Sequence, residues 1–253
     1  QDSLSESAAD IVVRGEGEET LFLLYEAIQN NRSYFNIAGI SFKDGSKIIH
    51  TPDRPLIENL DQISLFPYEL FADTRYDLGF MISSRGCPYN CSFCSQRNIS
   101  KQQYRVRSCE SVIREIDLLA NKYKQEHISF LDDNFLVNKD RAALLCNLII
   151  QNNLHKKIKF ACQSRADNIN EDILRILKEA NFTAIGLGIE TGSDRLMKVI
   201  NKGETVKDNI EAVRLLKKYR FNCCAFFMFG LPSETKMERF KTYILAKNLR
   251  LKF

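Results

Sequence analysis

The 253-residue chain has no apolar run approaching the ~20 residues a helix needs to cross a bilayer. Its first residues, Gln-Asp-Ser-Leu-Ser-Glu-Ser, are polar and lack the apolar core of a signal peptide. Charge of one sign is nearly balanced: 36 basic against 32 acidic side chains leave only +4. That is too even for a nucleic-acid binder, whose footprint is a basic patch or stripe, so none is expected as a partner. The three histidines, His50, His127 and His155, stand apart and read as structural or surface residues. There is no internal repeat and no low-complexity segment. An initiator methionine is also missing, so a processed chain or a piece of a longer one is expected.

What is present is an ordinary globular composition, 44% apolar and 27% charged, long enough for one large α/β domain or two modest ones. Eight cysteines without an export signal point to a reducing compartment, with the cytoplasm as the default. Clustered thiols there suggest metal binding or catalysis before disulfides.

The first block opens with the strand signal Ile11-Val12-Val13. Leu21, Leu24, Tyr25 and Ile28 follow at the spacing of a helix with one apolar face. Ile37 to Phe42, a Lys-Asp-Gly turn and Lys47 to Thr51 read as a hairpin. Residues 52–78 hold Pro52, Pro55 and Pro67 without a sustained period and read as an extended linker. From about residue 79, strands alternate with helices. The strands are Phe80–Ser84, Ile128–Leu131, Ile158–Cys162, Ala184–Ile189 and Asn222–Phe229. Ser108, Asn138, Asn170 and Thr205, the last with Asp208 three residues on, are helix N-cap signals, and a final helix is expected at about 233–249. The alternation predicts a parallel sheet covered by helices, with chemistry in loops at the C-terminal ends of the strands.

Cys87, Cys91 and Cys94 follow the first of these strands, in Arg-Gly-Cys-Pro-Tyr-Asn-Cys-Ser-Phe-Cys. A structural zinc site wants four ligands, and neither Cys109 nor His127 has pair spacing with the cluster. Pro88 and Asn90 make the stretch a loop rather than a buried strand. An iron–sulfur cube held by only three thiolates keeps one iron open to a substrate or cosubstrate. Cys146, Cys162, Cys223 and Cys224 read as buried and inert, with Cys162 facing away from Gln163 and Arg165. Cys109 and Cys224 stay open to an auxiliary role. Phe226, Phe227 and Met228 read as strand core.

The Cys-x3-Cys-x2-Cys triplet with Phe93 before its last cysteine resembles the signature of the radical SAM superfamily. The resemblance extends over about residues 79–240, through Ser-Phe-Leu-Asp-Asp-Asn-Phe at 129–135, Gly186-Leu-Gly-Ile-Glu190-Thr-Gly with Asn201-Lys202-Gly203, and Phe229-Gly-Leu-Pro-Ser-Glu-Thr235. It implies an α/β, partial (β/α)6 TIM-like barrel, here expected to lack its last strand. Cys87, Cys91 and Cys94 would hold three irons of a 4Fe-4S cluster, and S-adenosylmethionine (SAM) would chelate the fourth. One electron would then cleave SAM to methionine and a 5′-deoxyadenosyl radical. Asp132 or Asp133, where many members have Gly-Gly-Glu, would meet the SAM ammonium. Glu190 would accept from the ribose hydroxyls, and Phe93 with the backbone around Gly230 and Pro232 would flank the adenine. Arg165 would pair with the SAM carboxylate, or else with neighbouring Asp167 or Asp133.

Val12 to Thr20 and Ile63 to Tyr68, taken with the triplet, resemble the segment that joins a cobalamin-binding domain to the barrel in the cobalamin-dependent branch, which includes methyltransferases and an anaerobic cyclase of chlorophyll synthesis. On this basis residues 1–30 are the end of a cobalamin-binding-like domain, 31–78 a hairpin and linker, and 79–253 the radical SAM core. Cobalamin is implied for the full-length protein only, because the chain has no Asp-x-His-x-x-Gly loop. Expected partners are a small-molecule or peptide substrate and a one-electron reductant such as flavodoxin or ferredoxin. Two alternatives stand beside methyl transfer: a cobalamin-independent enzyme such as a methylthiotransferase, and a non-catalytic cluster-binding fragment. Methylthiotransferases carry further cluster cysteines upstream, and no cysteine precedes Cys87.

Overall fold

The computed structural model describes residues 2–71 and 76–251. Residues 72–75 of the expected linker, and the Lys252-Phe253 end of the expected core, lie outside the described residues. Two units are present, Gln1–Ile63 and Ser64–Phe253.

In the first unit a short helix α1 (Asp2–Ser5) precedes β1 (Ile11–Val13), α2 (Glu18–Gln29), β2 (Ile40–Asp44) and β3 (Lys47–His50). β1 pairs antiparallel with β2, and β2 with β3. The hairpin and the first strand therefore share one sheet, within the unit that ends at Ile63. α2 forms where its periodicity predicts, but it buries a different stripe. Thr20, Leu24 and Ala27 are buried, while Leu21, Tyr25 and Ile28 are at least half exposed.

The second unit contains β4 (Phe80–Met81), β5 (Ser84–Arg85), α3 (Gln96–Ile99), β6 (Arg105–Val106), α4 (Cys109–Asn121), β7 (His127–Phe130), α5 (Lys139–Gln151), β8 (Lys159–Ser164), α6 (Glu171–Glu179), β9 (Phe182–Glu190), α7 (Asp194–Val199), α8 (Val206–Lys218), β10 (Asn222–Phe227) and α9 (Lys236–Leu249). Five of its strands form a parallel sheet in the order β10-β9-β8-β7-β4. The helices begin where local chemistry directs. Ser108, Asn138 and Asn170 each accept the amide of the third residue on, and Thr205 with Asp208 closes a capping box. The last helix starts at Lys236, three residues later than expected, because Thr235 and Glu238 form a second capping box.

The sheet has two unlike faces. Ile128, Phe130, Phe160, Cys162, Ile185, Leu187 and Ile189 point into the helix-covered core, where Phe130, Phe160 and Phe182 stack with centroids 5.3–6.0 Å apart. Residues one position out of phase, Gln163, Gly186, Gly188 and Phe226, face a cavity. Two expectations are corrected here. Phe226 is 47% exposed and lines that cavity instead of the core, and Cys224 is exposed while Cys223 is buried. Alternation along β10 separates each from its neighbour, since even-numbered side chains share the cavity side.

Two further corrections concern the approach to the cysteines. The expected strand Phe80–Ser84 ends at Met81, and Ser84–Arg85 turns away to pair antiparallel with Arg105–Val106. The amides of Ser83 and Ser84 donate to Asp132 Oδ1 at 2.6 and 2.7 Å, which leaves them no place in the parallel ladder. In the expected linker, Tyr68 is buried in the core and its hydroxyl donates to Glu115 at 2.5 Å, so this part of the stretch is anchored. Among the described residues, no helix is long and apolar enough to cross a membrane.

Candidate functional site

The cavity, about 210 Å³, lies at the C-terminal ends of the parallel strands. Its room comes from β9, where Gly186 and Gly188 present no side chain on the cavity side. A Cβ at Gly188 would lie 2.5 Å from Glu190 Oε1 and 2.9 Å from Lys202 Nζ, within the space that this ion pair occupies.

Cys87, Cys91 and Cys94 all line the cavity, with Cys91 buried and the other two half-buried. The loop carrying them is fastened at both ends. Gly86, at φ +83°, donates its amide to Asp133 at 2.9 Å, and a Cβ there would meet the Gln103 carbonyl at 2.0 Å. At the other end Ser92 N donates to Ile200 O at 2.8 Å, and Asn201 Nδ2 donates to Asn90 O at 2.9 Å. Burial pushes the Cys87 and Cys91 thiols above their ordinary pKa. The Tyr89 amide and Arg165 oppose this at Cys87, and Lys202 and Arg165 oppose it at Cys91.

A chain of buried charges backs the thiols. Arg165 donates through Nε and Nη2 to both Asp167 oxygens at 3.1 and 2.8 Å, and through Nη1 to Cys91 Sγ at 3.7 Å. Its guanidinium lies over the Tyr89 ring, 3.8 Å from the centroid. Glu204 sits 3.7 Å from both Arg165 and Lys202 and accepts the Asp167 amide at 3.1 Å. Lys202 Nζ reaches Glu190 Oε1 at 3.2 Å. Burial opposes the charge on Arg165, but the hydrogen bond to Asp167 and the charges of Glu204 and Asp167 outweigh it and raise its pKa. Burial likewise raises Glu204, against the pull of Lys202 and Arg165. Glu190 ends β9 in a left-handed conformation, φ +62°, opposite the bulge at Phe226/Phe227.

The two neighbouring aspartates have different environments. Asp132 is buried and accepts from Ser83 N, Ser83 Oγ and Ser84 N at 2.6–2.7 Å, outside the cavity lining. Asp133 lines the cavity, and the desolvation it does suffer raises its pKa against the Gly86 amide. Phe93, Arg165 and Glu190 line the cavity as well, while Gly230 and Pro232 are exposed and do not. Of the partners read for Arg165, the structure pairs it with Asp167. Sequence reasoning missed Tyr89, Lys202 and Glu204. Lys202 had a signal, since it stands in the Asn-Lys-Gly segment that carried part of the resemblance.

Among the described residues, no three His, Cys, Asp or Glu side chains gather tightly enough to hold a single metal ion. A cube places each thiolate on a different iron, so spread thiols around one cavity suit it where a mononuclear zinc site would need convergence. The donor set, three thiols beside two buried cations, fits an anionic iron–sulfur group.

Fold and cavity together define a parallel-sheet α/β protein with its reactive side chains gathered at one strand end. Residues 81–246 match the radical SAM superfamily, and the chain belongs to that family. It is 36% identical over 249 residues to an uncharacterized methyltransferase of Pyrococcus horikoshii, covering 96% of this chain and 54% of the relative. It is 32% identical to the anaerobic magnesium-protoporphyrin IX monomethyl ester cyclase of Cereibacter sphaeroides, covering 94% and 40%. The chain thus spans about half the length of these curated relatives. Among solved structures it resembles the radical S-adenosylmethionine methyltransferase TsrM of Kitasatospora setae, with cobalamin and a [4Fe-4S] cluster bound. That match has a TM-score of 0.78 at 20% identity and covers 96% of this chain and 50% of TsrM. A second resemblance, to the cobalamin-dependent S-adenosylmethionine radical enzyme OxsB, has a TM-score of 0.78 at 22% identity and covers 93% and 36%.

Proposed function

We propose that this chain is the core of a radical SAM enzyme of the cobalamin-dependent branch, acting in methyl transfer or related radical chemistry. Cys87, Cys91 and Cys94 would hold the 4Fe-4S cluster, and SAM would occupy the cavity. The observation that carries this reading is the convergence on one cavity of three thiols, the Asp133 carboxylate and the Glu190–Lys202 pair. When bound and reduced by a one-electron donor, the cluster would pass that electron to SAM, cleaving the sulfonium C–S bond to methionine and a 5′-deoxyadenosyl radical.

The chain's own part is binding, orientation and exclusion of water. Asp133, open to the cavity, is the carboxylate that meets the SAM ammonium, since Asp132 spends its lone pairs on Ser83 and Ser84. Glu190, held by Lys202, accepts from the ribose hydroxyls. Phe93 and Phe226 flank the adenine; Gly230 and Pro232, outside the lining, have no part in this reading. The parallel strands are read as the first five of a partial (β/α)6 barrel, supported by the likeness in fold to TsrM and OxsB. Residues 1–30 are read as the end of a cobalamin-binding-like domain, 31–78 as hairpin and linker, and 79–253 as the core. Cobalamin belongs to the full-length protein, the reductant is a flavodoxin- or ferredoxin-type donor in a reducing cytoplasm, and the substrate is a small molecule or peptide.

Anaerobic reconstitution with iron and sulfide tests the reading. It should yield about four irons per chain and, with dithionite and SAM, release 5′-deoxyadenosine. A cluster that still forms in the Cys87→Ala, Cys91→Ala, Cys94→Ala triple variant overturns the assignment.

A further inference from the structure

We propose that Arg165 acts on the cluster rather than on SAM: its guanidinium donates a hydrogen bond to the Cys91 thiolate and raises the cluster's reduction potential. This rests on the cluster-binding reading above.

Three features fix the guanidinium in this role. The Nε/Nη2 edge, which would clamp a ligand carboxylate, is already taken by both oxygens of Asp167 at 3.1 and 2.8 Å. One flat face lies on the Tyr89 ring at 3.8 Å, and the Tyr89 hydroxyl is in turn held by Asn168 Nδ2 at 3.4 Å. With that edge and that face occupied, Nη1 points at Cys91 Sγ, 3.7 Å away. Arg165 is only 5% exposed, so water does little to screen the contact.

The electronic consequence has a definite sign. A donor to a thiolate draws electron density from the sulfur, and a fixed cation stabilises the reduced cluster, which carries one more negative charge. Hydrogen bonds to the sulfurs and solvent exposure are among the factors that set iron–sulfur potentials. Removing the guanidinium, or letting it swing away, makes the cluster harder to reduce.

Tyr89 supplies a test free of charge changes. Tyr89→Leu removes the ring that seats the guanidinium and leaves Arg165, Asp167 and Glu204 intact. Arg165→Met removes the donor and the charge together. Each variant is reconstituted anaerobically, its iron counted, and the reduced-cluster electron paramagnetic resonance signal titrated against potential without SAM. The expected result is a midpoint lower than wild type in Tyr89→Leu and lower still in Arg165→Met, at full iron content. Where Arg165→Met fails to load iron, Tyr89→Leu decides alone. Wild-type midpoints in iron-replete variants overturn the proposal and leave the cluster reading standing. Failure of the unmodified chain to assemble a cluster overturns that reading, and this one with it.

Discussion

The amide nitrogen of Ser92, between the second and third cysteines of the loop, donates to the carbonyl oxygen of Ile200 at 2.8 Å. Residues more than a hundred positions apart are thereby joined, and Asn201 strengthens the tie by donating to Asn90 O at 2.9 Å from a left-handed backbone, φ +51°. Asn201→Gly should cost about 0.5 kcal/mol, the worth of an exposed hydrogen bond. Asn201→Ala should cost about 1.5 kcal/mol, because alanine also resists positive φ. Chemical denaturation checks the difference, and both variants should lose iron faster to a chelator than wild type does.

Asp132 braces the strand end before the cysteines. Asp132→Ala strands two backbone amides in a buried position and should cost about 3 kcal/mol. Asp132→Asn keeps an oxygen for both amides, which share Oδ1, and should cost about 1 kcal/mol. Denaturant midpoints at constant slope are the measurement.

Asp133 should trade stability for binding. Its folded pKa is raised, so between the ordinary value of 3.8 and that higher value the folded chain binds more protons than the unfolded one. Stability therefore falls as pH rises through this window, and Asp133→Asn removes the penalty while still accepting the Gly86 amide. Above the window the variant should be at least as stable as wild type. On the proposed reading it should bind SAM about 10-fold to 100-fold more weakly, the loss of a charge-assisted hydrogen bond. Calorimetry across pH reads both effects.

Gly188→Ala should separate fold from site. Its Cβ displaces the tips of Glu190 and Lys202, which are side-chain ends rather than backbone, so the melting temperature should move little while SAM affinity falls. Gly79→Ala is the contrasting variant. Its Cβ would lie 2.2 Å from the His127 carbonyl oxygen in the adjoining strand, and unfolding at much lower denaturant is expected.

Thiol labelling of the folded chain should find Cys224 readily. Cys146 should stay unlabelled, being fully buried with its pKa pushed up to about 12 by desolvation and by Cys109. Mass spectrometry after a short maleimide pulse distinguishes the two.

Much of the fold was legible in the order of residues. The N-caps at Ser108, Asn138, Asn170 and Thr205 stand where the sequence places them, because a cap depends on donors within three positions along the chain. The strand-then-helix alternation and the position of the cysteine loop were equally local, as was the resemblance that named the family. The exposed stripe of α2, the early end of β4 and the cavity-facing Phe226 were not, because each depends on what an element meets rather than on its own period.

By itself, then, the sequence determined the family, the three thiols and the parallel alternation, all written in spacings of a few residues. Only the tertiary structure decided which aspartate faces the cavity, what Arg165 is bonded to, and that Lys202 and Glu204 stand behind the cysteines. Adjacent residues at a strand end differ by nearly half a turn in direction, and a buried charge takes whatever partner folding carries to it from a distant segment.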